Sequence, residues 1–153
     1  MADQFTYTLQ FAGYAYDRYD EKGSVDYDRF VSVFDQFPWI EELKKRAALD
    51  DGCSATISVT DQKTKREYWV SIAGSESDHV FLLGLVSDKE VKTMWGFGKP
   101  KRIRWVEIYV APSRSSVLET FKIFFAGDDG QLREMVRRFD KFGEMEAWKA
   151  EKA

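Results

Sequence analysis

At 153 residues and 17.8 kDa, with 44% hydrophobic and 32% charged residues, the chain has the proportions of one globular domain. No apolar run approaches the ~20 residues a bilayer span needs, and the start MADQFTYTLQ lacks a signal-peptide pattern. A single cysteine, Cys53, and a single histidine, His79, exclude an intramolecular disulfide, a cysteine-based zinc or iron site and any two-histidine metal site. The chain therefore reads as one cytoplasmic domain over residues 1–153, with no cofactor, no metal and no membrane partner.

A net charge of −3 and a pI near 5.3 argue against a general nucleic-acid binder. Charge is uneven: residues 1–50 hold ten acids and six bases, residues 101–153 nine acids and eleven bases. The chain carries 24 rings (5 Trp, 7 Tyr, 12 Phe), more than one small core is expected to hide, so some are expected at a surface that binds another molecule.

In chain order, residues 4–14 alternate Phe5, Tyr7, Leu9 and Phe11 against polar neighbours, the pattern of a half-buried strand. A polar stretch, Ala15 to Val25, turns at Gly23. From Asp26, a suitable N-cap, the period becomes helical through Phe30, Val33, Phe34 and Phe37. Pro38 ends that helix and suits the start of a second, with Ile40, Leu43 and Ala47 inward. Strands are predicted over 54–60, 66–73, 79–86 and 103–110. The 66–73 strand turns Tyr68, Val70 and Ile72 inward and Glu67, Trp69 and Ser71 outward. In the 103–110 strand Val106, Ile108 and Val110 face in, and Trp105, Glu107 and Tyr109 face out. A connection of about 16 residues, Ser87–Arg102, is long for a structureless loop. Residues 114–125 fit a helix closed by Gly127, through Val117, Leu118, Phe121, Phe124 and Phe125, with a strand as the competing assignment. A last helix opens after Asp129-Gly130 and aligns Leu132, Met135, Val136, Phe139 and Phe142, and residues 144–153 form a charged, fraying helical tail. The fold expected is α+β: a single mainly antiparallel sheet of about five strands with two N-terminal and two C-terminal helices.

Few residues gather into recognisable chemistry. DRYDEKGSVDYDRFVSVF (17–34) has the flavour of a calcium loop, but setting Gly23 at its central position puts Arg18, Lys22 and Arg29 where oxygen ligands belong. Trp95-Gly96-Phe97-Gly98-Lys99 lacks the helix that a phosphate-cradling loop requires. KPKRIR beside Trp95, Phe97 and Trp105 could stack on RNA, or simply protect an edge strand with charge. His79 and Cys53 begin different strands, with nothing to join them as a catalytic pair. No catalytic set emerges.

Two patches stand out as protein-binding candidates. One is the outward set Glu67, Trp69, Trp105, Glu107 and Tyr109, with rings as anchors and carboxylates as selectors. Burial of these rings as core is the competing account. The second is the acidic group Asp17, Asp20, Asp26 and Asp28, either a solvated face or a dock for a basic partner. A small-molecule sensor with an aromatic pocket is the alternative function.

Helices are followed by the strand cluster SATISV, REYWVSIAG and HVFLLGLV and then SSVLETFKIFFAGDDGQLREMV. This order, over roughly residues 26–140, resembles bacterial polymorphic-toxin immunity proteins. The resemblance implies a small cytoplasmic non-enzyme that binds and blocks a toxin domain, often through an acidic or aromatic surface.

Overall fold

The alternating segments become strands, and they line up in one sheet. The computed structural model describes residues 4–91 and 101–147. Its strands are β1 (Phe5–Gln10), β2 (Asp20–Ser24), β3 (Thr56–Asp61), β4 (Arg66–Ser75), β5 (Asp78–Val91), β6 (Lys101–Ala111) and β7 (Asp140–Glu146). They are ordered β2-β1-β3-β4-β5-β6-β7, every neighbouring pair antiparallel. Helices α1 (Tyr27–Gln36) and α2 (Trp39–Ala47) connect β2 to β3, and α3 (Arg114–Ala126) and α4 (Asp129–Val136) connect β6 to β7. Among the described residues the fold is thus α+β with four helices and seven strands rather than about five. The first helix pair follows two strands instead of leading the chain.

Local signals explain the helix ends. The Asp26 carboxylate accepts the Arg29 backbone N–H at 2.8 Å, and Phe37 is extended before Pro38, so α1 begins and stops where its caps dictate. Ser113 caps α3, and Gly127, at φ +78°, supplies its left-handed exit. Residues 114–126 are helix, which decides between the two assignments for that segment. Two inward expectations fail in the helices: Ala47 is exposed, and Phe142 lies not on α4 but in β7. Residues 144–146 are likewise strand rather than helical tail.

All four helices pack on one face of the sheet. There Phe30, Phe34, Trp39, Leu43, Val117, Phe121, Phe124, Leu132 and Val136 meet Tyr7, Ile57, Val59, Tyr68, Val70, Leu83 and Leu85. Much of the aromatic content ends here. Phe30 stacks on Phe121 with centroids 4.0 Å apart, Phe121 lies 4.4 Å from Tyr68, and Phe34 joins Trp39 and Phe81. Burial of these rings together with aliphatic side chains such as Ile57, Val70, Leu83 and Leu132 supplies the apolar stabilisation of the fold. Glu42, on α2, is buried with them. Its carboxylate accepts the Ala12 N–H at 2.7 Å and pairs with Lys45 at 3.0 Å, fastening α2 to the end of β1.

The opposite face carries a second, smaller cluster of Val86, Val106 and Ile108, with Trp69, Leu82 and Ala147 against it. Trp69 lies across Gly84, where a Cβ would come within 2.0 Å of the indole. The glycine gives the ring its seat.

Candidate functional site

Register decides which of the singled-out residues can act together. Directly opposed residues of an antiparallel ladder share a face. Glu107 lies opposite Leu85, Tyr109 opposite Leu83 and Trp105 opposite Ser87, so all three belong to the face that the helices cover. Val106 and Ile108 point to the other face, with Trp69. The inward and outward assignment of β6 is therefore inverted. The sequence pattern treats the β-branched side as the core side, whereas this strand is apolar on both sides and buries both. The set of five divides: Trp105, Glu107 and Tyr109 come together, and Glu67 and Trp69 stand on the opposite face.

The three on β6 enter two polar clusters: Glu107 and Tyr109 with the end of α4, and Trp105 with β7. Tyr109 is only 3% exposed, and its O–H donates to Glu107 Oε1 at 2.6 Å. Arg133, from α4, approaches Glu107 Oε2 at 3.7 Å and donates to Ser87 Oγ at 3.0 Å. Burial first, and then the Glu107 carboxylate, push the Tyr109 phenol up to about 12, with the nearby Arg137 opposing them. Tyr109 is thereby held as a neutral donor. The Trp105 Nε1–H donates to Glu144 Oε1 at 2.9 Å, and the Lys89 ammonium sits 4.1 Å from the centre of the indole. Lys141 grips the other Glu144 oxygen at 2.6 Å, and these two hydrogen bonds hold that carboxyl below its usual range. Half-buried Trp105 is fixed at two points, on a surface where cations and carboxylates alternate.

On the other face Glu67 accepts a short hydrogen bond from Ser58 and lies 3.5 Å from Arg104. Arg104 also donates to Lys65 O at 2.7 Å and lies 3.8 Å from Asp88. Half-buried Trp69 serves mainly as a lid over Gly84 and the small apolar cluster.

The acidic patch sits at the opposite end of the sheet. Asp20 opens β2, and its carboxylate accepts the Tyr14 O–H at 3.0 Å; Asp26 caps α1, and Asp17 and Asp28 are exposed. Two of these four acids are occupied in local structure. The stretch that has the flavour of a calcium loop divides into the edge strand β2, with Gly23 at a bulge opposite Tyr7, and most of α1. Cys53 is buried ahead of β3, its Sγ 3.7 Å from Phe11 O and its thiol pushed up by burial, while His79 is exposed at the β4–β5 hairpin. Among the described residues no group of three or more His, Cys, Asp or Glu could hold a metal ion, and no helix is long and apolar enough to cross a membrane. Trp95, Gly96, Phe97, Gly98, Lys99 and Trp148 lie outside the described residues, as does most of the long connection. β5 and β6 remain paired as far as Val91 and Lys101, so part of that connection is hairpin arm.

Sequence reasoning missed Ser87, Lys89, Arg133, Lys141 and Glu144. Only Arg133 left a usable sign: it borders the buried Leu132–Val136 stripe of α4 and so sits where helix meets sheet.

No family model, curated protein or solved structure matches this chain.

Proposed function

We propose that this chain is a non-catalytic protein-binding domain, most concretely an immunity-type inhibitor that binds and blocks a toxin domain in the cytoplasm. The observation that carries the reading is the partly exposed Trp105, held by Lys89 and Glu144, beside Glu107, which Arg133 and the core residue Tyr109 orient from within. A half-exposed indole held at both its ring face and its N–H loses little conformational freedom on binding, which favours its use as an anchor. Fixed charges around it select a partner of complementary pattern. A phenol kept protonated and a carboxylate already engaged by two donors serve recognition better than proton transfer.

The proposal expects a toxin domain to be encoded beside this chain, and the test is growth of cells expressing that domain. Co-expression of the wild-type chain restores growth, and Trp105→Ala, shown by circular dichroism to be folded, restores it less. Failure of the wild-type chain to protect against that toxin would overturn the toxin assignment.

A further inference from the structure

The far edge of the sheet lies beyond Trp105. β7 is the last strand of the order, and among the described residues no strand pairs with its outer side. An unpaired edge offers a row of backbone N–H and C=O groups to any extended chain. Natural edges are usually blunted with lysine or proline, yet β7 reads DKFGEME, with no proline and one lysine, and that lysine is tied to Glu144 at 2.6 Å. It also exposes apolar side chains: Phe142 is 61% exposed and Met145 51%, which with Tyr16 are the most exposed large hydrophobics among the described residues. The strand bulges between its pairings with Ile108 and Tyr109, where Phe142 is the extra residue.

Charge identifies the occupant. Asp140 and Glu146, at the two ends of β7, are exposed and form no ion pair among the described residues. A second copy of the chain fits poorly. An antiparallel two-fold pairing centred on Phe142 sets Asp140 against Glu144, one centred on Gly143 sets Asp140 against Glu146, and one centred on Glu144 sets that carboxylate against itself. Like charges directly opposed across strands are unfavourable. A strand carrying lysine or arginine meets the same carboxylates favourably, and its apolar side chains cover Phe142 and Met145. Glu144 links this edge to Trp105, so the two surfaces are continuous.

We propose that the outer edge of β7 binds an extended, basic segment of a partner protein by strand addition, extending the sheet to an eighth strand. This rests on the protein-binding reading and names the kind of segment recognised.

The experiment uses the full chain and two synthetic peptides of β7 length that alternate valine with either lysine or glutamate, plus a backbone N-methylated lysine peptide that cannot pair. Binding is titrated calorimetrically, and hydrogen exchange locates it. The lysine peptide binds about tenfold more tightly than the glutamate peptide, protects β7 amides and loses binding on N-methylation. In the double variant Asp140→Lys/Glu146→Lys the preference inverts, and Phe142→Ala weakens both peptides. The inference is overturned if the lysine peptide does not bind, if the charge-reversed variant keeps the wild-type preference, or if protection falls outside β7. It is equally overturned if β7 protection rises with protein concentration alone, which would mark a second copy as the occupant. None of these failures touches the toxin co-expression assay, so strand addition and the toxin assignment fail separately.

Discussion

Replacing Gly84 by alanine puts a methyl carbon where the Trp69 indole already lies. The new Cβ would stand 2.0 Å from Cε2 and 2.2 Å from Cζ2, so the ring must leave its seat over Val86, Val106 and Ile108. Overpacking of this kind costs about 1–3 kcal/mol. Alanine's better strand preference returns about 0.5–1 kcal/mol, leaving a net loss of up to about 2.5 kcal/mol. For a chain of this length that corresponds to a fall in Tm of up to roughly 10 °C. Urea unfolding of wild type, Gly84→Ala, Trp69→Ala and the double variant closes a cycle around this single contact. Once the indole is gone the methyl meets no ring, and Gly84→Ala becomes neutral or mildly stabilising. Additivity of the two changes to within about 0.5 kcal/mol would refute the argument that the glycine exists to seat the tryptophan.

Alkaline pH gives an independent handle on Tyr109. Its phenol titrates near 12 when folded and near 10 when unfolded, so the unfolded chain releases a proton that the folded one keeps, and stability falls as pH rises from about 10 towards 12. Between about pH 9 and pH 11 the wild type should lose about 1 kcal/mol more than Tyr109→Phe, read from urea midpoints; equal losses would contradict the placement of Tyr109. Phe121→Ala, which removes the ring between Phe30 and Tyr68, should cost about 3–5 kcal/mol in the same assay. Asp26→Ala leaves the Arg29 N–H uncapped and should cost about 1 kcal/mol, measured as a shift of the urea midpoint.

Where one side of an element is plainly apolar, the sequence was legible. Phe30 and Phe34 with their Asp26 cap and Pro38 stop define α1, and Tyr68, Val70 and Ile72 define the inner face of β4. β6 misled because both of its sides are apolar: Val106 and Ile108 serve a small cluster of their own, and Tyr109 and Ala111 face the helices. Alternation gives the period of a strand but not its phase when each face is buried. β2 and β7 escaped notice for another reason. DEKGS and DKFGEME are edge strands with little apolar signal, each interrupted by a bulge, and Phe139 and Phe142 happen to continue the helical spacing of α4. The site was half legible. Trp105, Glu107 and Tyr109 lie close in sequence and on one strand, whereas their partners Arg133 and Glu144 arrive from elements whose placement depends on tertiary packing.

Affinity of the purified chain for the toxin domain that the proposed function expects, with and without the Trp105 indole, bears most directly on the β6 surface. A central anchor of this kind is worth at least about 2 kcal/mol, so Trp105→Ala should weaken the complex roughly 30-fold while the melting profile stays cooperative. Unchanged affinity in the folded variant would contradict the assignment of that surface.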